Sequence, residues 1–194
     1  MANLIFSNLM SLDGFCAGPA GDLNGLPMGA EFDQHNLDLL RGAGALLFGR
    51  VTFDILRSFW PEVLKEIAPD PLLADIAGRL AKARKSVVSN QLTLGPTDPW
   101  GDSRIVRGAE VNARVRSLKA ETDGDVVAYG SRRLMNALLG HGLVDELHVL
   151  VGNTVLGVGE RLFLAPPSGR LAVVEQRQLP QSETVLLRYT CNQG

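Results

Sequence analysis

The run Ala45-Leu46-Leu47-Phe48 is wholly apolar, four residues long, and bounded by Gly44 and Gly49. It is too short for a buried helix and shows no alternation of polar and apolar residues. It therefore fits a strand covered by helices on both faces. The rest of the chain supplies the cover. Asp33 to Arg41 reads as a helix that Gly42-Ala43-Gly44 stops. Asp70-Pro71 pairs an N-cap acid with a proline at the first helical position, and Leu72, Ile76, Leu80 and Ala83 then give one buried stripe. Val111, Val115 and Leu118 mark another helix, and Ser131 to Leu139 a further one that ends at Gly140 and Gly142.

Between the helices lie further short strands: Leu4 to Met10, Ser86 to Ser89, Ile105-Val106, Val126 to Tyr129 and Leu147 to Val151. The tail, Leu171 to Gln178 and Thr184 to Thr190, is β-rich without helical phase. Alternating β and α followed by a β pair predicts an α/β fold: a mostly parallel sheet, helices on both faces, and an antiparallel C-terminal edge. With 194 residues and no long polar linker, the reading is one domain over residues 1–194.

Charge excludes more than it suggests. Nineteen Lys and Arg against 21 Asp and Glu leave no basic field, so nucleic acid is not an expected partner. No stretch approaches the roughly 20 apolar residues that cross a bilayer, so no membrane partner is expected either. Met1 to Phe6 lacks the cationic start of a signal peptide, and Cys16 and Cys191 cannot form a disulfide framework. The expectation is a soluble, cytoplasmic protein.

Several chemistries have no motif here: there is no G-x-S-x-G elbow, no G-x-x-x-x-G-K-[ST] loop and no H-E-x-x-H pair. His35, His141 and His148 have no metal-like spacing and read as surface or structural residues, so no metal is expected. Gly157-Val158-Gly159 begins like a dinucleotide fingerprint, but Leu162 takes the third glycine position and no helix follows.

Two strand-to-helix junctions say more. In Phe48-Gly49-Arg50-Val51-Thr52, where a buried strand ends and a short helix begins, Gly49 allows close approach of a ligand, Arg50 offers a fork for phosphate, and Thr52 can hydrogen-bond at the helix mouth. In Tyr129-Gly130-Ser131-Arg132-Arg133 a strand again opens onto helix amides, and Ser89-Asn90 stands at a third strand end. Three such ends along one sheet edge point to a phosphorylated ligand lying across it.

These segments, with Ser11-Leu12-Asp13-Gly14-Phe15, Gly142-Leu143-Val144-Asp145-Glu146-Leu147 and Leu156-Gly157-Val158-Gly159, occur in an order that resembles the dihydrofolate-reductase-like superfamily. The nearer resemblance is to the reductase half of the bacterial bifunctional riboflavin-biosynthesis deaminase-reductase and its stand-alone relatives, over about Asn3 to Thr190. It implies a three-layer αβα fold, NADPH as hydride donor, a small-molecule substrate and a homodimer. By the same resemblance Gly49, Arg50 and Thr52 match a Gly-Arg-x-Thr junction whose arginine lies near the 2′-phosphate of NADPH. Ser89 and Asn90 match the turn at the adenosine end. Gly130 matches the first of two glycines under the pyrophosphate, with Ser131 in place of the second, followed by Arg132 and by Leu134 one turn into the helix. Asn153 stands where the family often has proline. No zinc-deaminase signature is present.

The acid is harder to place. Folate reductases carry a carboxylate two residues after a Leu-Pro pair, but Leu26-Pro27 is followed by Met28-Gly29, which argues against dihydrofolate as substrate. Helical phase offers Asp33, which falls with Asn36 inside the arc of Phe32, Leu37, Leu39 and Leu40. That phase predicts a carboxyl facing the space between Gly14-Phe15 and the nicotinamide. Asp13, in the turn after the first strand, is the other candidate, and either acid could equally be structural. Trp60 fits a pocket wall or the core. Two functional classes follow: a reductase delivering hydride to a C=N or C=O group, such as a ribosyl pyrimidine of riboflavin synthesis, or a non-catalytic NADP(H)-binding dimer that keeps the fold.

Overall fold

The structure, a computed structural model, describes residues 1–26 and 28–192. Pro27, half of the Leu26-Pro27 pair, lies outside them. Strands β1 (Leu4–Met10), β3 (Ala43–Gly49), β4 (Lys85–Val88), β5 (Arg104–Val106), β6 (Asp125–Tyr129), β7 (Glu146–Val151), β9 (Arg170–Gln178) and β10 (Val185–Asn192) form one sheet in the order β5-β4-β3-β6-β1-β7-β10-β9. All pairs from β5 to β7 are parallel; β10 runs antiparallel to both β7 and β9. Two short strands, β2 (Phe15–Ala17) and β8 (Glu160–Arg161), pair separately. Helices α1 (Ala30–Gly42), α2 (Arg50–Val63), α3 (Pro71–Lys82), α4 (Val111–Glu121) and α5 (Arg132–Gly140) complete the element order.

The period-2 alternation of strand side chains sets the two largest of three cores on opposite faces of the sheet. Leu4, Phe6, Ala45, Leu47, Val126 and Ala128 point to one face, where they meet Val115 and Leu118 of α4 and Leu134, Met135 and Leu138 of α5. Leu46, Phe48 and Val127 point to the other, where Leu37 and Leu40 of α1, Phe53 and Trp60 of α2, and Ile76 and Leu80 of α3 cover them. This is why the four-residue run is apolar throughout: consecutive residues serve opposite faces, and all four are buried. Trp60 belongs to this core, not to a pocket wall.

The capping expectation at Asp70 holds: its Oδ1 accepts from the Leu72 and Leu73 amides at 2.9 and 3.2 Å. Three boundaries differ from the sequence reading. Helix α1 starts at Ala30, because Gly29 is extended and caps it one turn earlier. Helix α2 is a full 14 residues, with Pro61 in its last turn. The Gly42–Gly44 stop is not a loop: β3 begins at Ala43, and a side chain on Gly44 would meet the Gly124 backbone at 2.8 Å. The β2–β8 pair had no local signal in its two or three residues.

Candidate functional site

Because β1, β3, β4 and β6 are parallel, their carboxyl ends, Met10, Gly49, Val88 and Tyr129, share one edge of the sheet. The two strand-to-helix junctions meet there, since β3 and β6 are neighbours. The Gly49 amide donates to Ser131 Oγ at 2.8 Å, and the Ser131 amide donates to Thr52 Oγ1 at 3.0 Å. Gly130 and Ser131 are both left-handed, with φ +57° and +61°. Glycine adopts that conformation freely; serine holds it here with its hydroxyl tied across to the other junction. A Cβ on Gly49 would stand 3.3 Å from Ser131 Oγ, and one on Gly130 would stand 3.4 Å from Thr52 Oγ1, so both glycines are closely faced.

Neither α2 nor α5 has a side-chain cap on its first amides. Two helix N-termini thus present donors and the positive end of the backbone dipole at one place. Beside them runs a groove of about 630 Å³, with Arg50, Asp54 and Arg57 on one wall and Gln91, Thr93 and Pro99 on the other. Arg50 is exposed and reaches Asp54 at 3.0 Å. The Ser89 hydroxyl accepts from the Gln91 and Leu92 amides at 3.2 and 2.9 Å, which folds the turn that carries Gln91 into this wall. Asn90 Oδ1 accepts from the Gly108 amide at 2.9 Å and ties the same turn to the exit of β5.

Two expected cofactor residues are placed differently. The Arg132 guanidinium is spent on β8, with Nη2 at 2.7 Å from Glu160 and Nη1 donating to the Arg161 carbonyl at 3.2 Å; only its backbone stands at the helix mouth. The Leu134 side chain is buried in the core, so it too offers no more than backbone. The reason is helical geometry: one turn into α5, a side chain points at the sheet or at β8 and not out over the edge.

The two acids have separate surroundings. Asp13 accepts from Ser11 Oγ at 2.7 Å and from the Gly157 and Leu156 amides at 2.7 and 3.1 Å, so it clamps the turn after β1 to the Leu156-Gly157 segment. The Ser11 hydroxyl and these amides hold its carboxyl below the usual carboxylate range. That suits an anchored anion better than a proton donor. Asp33 is half-buried on α1, and its carboxyl has no hydrogen-bond partner among the described residues. Burial pushes its carboxyl up to about 6, and the Asp70 carboxylate adds to the rise. Asp33 lies one turn before Leu37, on the arc of α1 whose Asn36 bonds Ser7 and Tyr129, with the Asp70 carboxylate at the start of α3 close enough to act on it, while Phe32 packs toward Leu9, Leu26 and Leu156.

Sequence reasoning passed over several groups. Arg57 and Asp54 follow Arg50 at seven and four residues, one face of a helix, a signal that reading α2 as short concealed. Arg107 donates to the Ser89 carbonyl at 2.8 Å, a contact set by β4 and β5 lying side by side. Under α1 lies a polar layer: Ser7 Oγ donates to Asn36 Oδ1 at 2.8 Å, and the Tyr129 hydroxyl donates to the Asn36 carbonyl at 2.8 Å. In the same layer His35 and His148 are buried with ring nitrogens 3.2 Å apart. No group of three or more His, Cys, Asp or Glu side chains placed to hold a metal ion occurs among the described residues. Among them, too, no helix is long and apolar enough to cross a membrane.

A mostly parallel sheet with an antiparallel edge, helices on both faces and two glycine junctions at the carboxyl edge is a dihydrofolate-reductase-like fold. More narrowly, the chain belongs to the family of the RibD C-terminal domain, whose model matches residues 2–183. Family membership supports a reductase-like role. Among solved structures it is similar to a putative riboflavin biosynthesis protein from Shewanella sp. PV-4, at 23% identity and TM-score 0.71, covering 100% of both chains. It is also similar to Acinetobacter baumannii RibD, at 18% identity and TM-score 0.69, covering 99% of this chain and 58% of that one. A pyrimidine reductase-like protein from Corynebacterium diphtheriae matches at 16% identity and TM-score 0.62, over 100% of this chain and 93% of that one. At these identities the likeness is one of fold. The chain spans little more than half of the Acinetobacter protein. No curated protein matches.

Proposed function

We propose that this protein is an NADPH-dependent reductase acting on a C=N or C=O group of a small molecule, of the kind found in a ribosyl pyrimidine intermediate of riboflavin synthesis. The observation that carries the reading is the pair of stitched junctions, Gly49-Arg50-x-Thr52 and Gly130-Ser131. They set two uncapped helix N-termini side by side next to an arginine-lined groove. The residues fit the cofactor. Amides of α2 and α5 would hold the pyrophosphate, the Ser89-Asn90 turn would flank the adenosine, and Arg50 would pair with the 2′-phosphate. Bound NADPH supplies a hydride from its nicotinamide C4; the chain's own task is to orient substrate and provide the matching proton.

Asp33, with a carboxyl titrating near 6, is the proton source this reading uses, directly or through water. Asp13 shapes the substrate side by fixing the turn before Phe15. A homodimer joined along the β9–β10 edge would cover Val173, Val174 and Val185, which are exposed; sedimentation in solution tests it. Ser131 in place of the family's second glycine and Asn153 in place of its proline favour a second reading, an NADP(H)-binding dimer without turnover.

NADPH oxidation followed at the nicotinamide absorbance, against carbonyls, imines and the ribosyl pyrimidine, separates the two. Turnover that falls in Asp33→Asn with NADPH affinity retained supports the reductase. Tight NADPH binding with no turnover of any of them establishes the binding protein.

A further inference from the structure

The groove beside α2 holds a second arginine that the reading above leaves without a task. Arg50, Asp54 and Arg57 stand at positions i, i+4 and i+7 of α2, so all three lie along one line of the helix. Asp54 divides itself between the cations: Oδ2 is 3.0 Å from Arg50 Nη1, and Oδ1 is 3.0 Å from Arg57 Nε. Each guanidinium spends one donor on that carboxylate, and neither has another side-chain or backbone acceptor among the described residues. Arg57 is also fixed from below, its guanidinium carbon 5.5 Å from the centre of the buried Phe53 ring. Its side chain is 25% exposed against 49% for Arg50, so it is the more rigidly placed of the two. Two cations facing one carboxylate leave a net positive charge in a groove whose opposite wall, Gln91, Leu92, Thr93 and Pro99, carries no charge.

We infer that Arg57 is a second guanidinium for the phosphate that the cofactor reading assigns to Arg50, and that Asp54 is the positioning residue that aligns the two. The inference rests on that reading. A phosphate monoester is a dianion with three terminal oxygens, more than one fork can satisfy, and two guanidiniums at fixed spacing match it. A 2′-hydroxyl in the same place carries no charge and offers a single neutral acceptor oxygen, so the pair sets preference for the phosphorylated dinucleotide. Asp54 also opposes the dianion, which keeps the grip from becoming too tight for release.

Nicotinamide fluorescence titrations with NADPH and NADH on the wild type, Arg50→Ala, Arg57→Gln, Arg57→Lys and Asp54→Asn test it. Competition by adenosine 2′,5′-bisphosphate and by ribose 5-phosphate tells the dinucleotide's phosphate from a substrate's. Arg57→Gln, which keeps a stem over Phe53, is expected to weaken NADPH about 10-fold and NADH by about 2-fold or less. Arg57→Lys recovers part of the loss. Asp54→Asn, which keeps an amide oxygen to accept from a guanidinium and removes the opposing charge, tightens NADPH by about 3- to 10-fold at low salt, and the gain shrinks as salt rises. Adenosine 2′,5′-bisphosphate follows NADPH across the variants and ribose 5-phosphate does not compete. If the wild type prefers NADPH and that preference falls in Arg50→Ala but survives both Arg57 variants, the inference is overturned while the cofactor reading stands. Wild-type protein that binds NADPH and NADH alike overturns both.

Discussion

The hydroxyl of Ser131 accepts a hydrogen bond from the amide of Gly49, 82 residues away, at 2.8 Å. The contact closes the gap between the ends of β3 and β6 and supports a left-handed serine where the family resemblance expects a second glycine. Ser131→Ala removes the acceptor and leaves the Gly49 amide facing a methyl group. Stability should fall by about 1–2 kcal/mol in urea denaturation. Thr52→Val should do the same through the Ser131 amide, and the double variant should lose less than the sum, since the two bonds share one residue. Strict additivity would show that the junctions are not coupled.

Gly130→Ala places a Cβ in a left-handed position and 3.4 Å from Thr52 Oγ1. The expected cost is about 1–2 kcal/mol from backbone strain. NADPH and NADH affinities should fall by the same factor, because the pyrophosphate cradle is common to both cofactors. Thermal melting and fluorescence titration of the same sample give both quantities.

Asp33 carries a pH dependence of unusual sign. Its carboxyl is raised to about 6 in the folded chain against an ordinary 3.8. Below about pH 4 both states are protonated and nothing is lost. Between about pH 4 and 6 the unfolded chain ionises first, so this residue destabilises the fold increasingly as pH rises and then levels off. Asp33→Asn should therefore stabilise the protein at pH 7, by about 1 kcal/mol after allowance for its partial exposure, and leave stability at pH 4 unchanged. The same variant should slow turnover and remove the limb of the kcat profile near pH 6. An unchanged profile would remove Asp33 from the chemistry.

The His35–His148 pair makes the fold sensitive to acid. Burial, aided by the positive neighbours His148 and Arg177 and opposed by Asp38 and Glu175, pushes His35 down to about 4. His148 is lowered by burial as well, against the pull of its hydrogen bond to Glu146 and with Arg188 adding to the drop. Above about pH 6.5 both rings are neutral in either state, and stability is full. As pH falls from 6.5 toward 4 the unfolded chain takes up protons the folded one refuses, and about 2–3 kcal/mol should be lost. His35→Gln should flatten that slope in denaturation measured across pH 4 to 7.

Dihydrofolate should be a poor substrate. The position two residues after Pro27 is Gly29, which is extended and caps α1, so no carboxylate stands there to pair with a pterin. Efficient dihydrofolate turnover in a standard absorbance assay would contradict the assignment of the substrate side.

The fold was written in signals that act over a few residues. Apolar runs such as Ala45 to Phe48 specify strands covered on both faces, and the Asp70-Pro71 cap fixes a helix start, because both depend on local backbone geometry and period. The strand-end glycines and Arg50 were visible for the same reason. Tertiary structure decided whom the side chains meet. That Arg132 turns to Glu160, that Asp13 clamps the Leu156-Gly157 segment, and that His35 finds His148 across 113 residues all depend on strand order and helix placement. Helical phase could put Asp33 on the inward arc, but it could not say which neighbour lay on that side. A period gives an angle about one axis, and a site requires the relative positions of several.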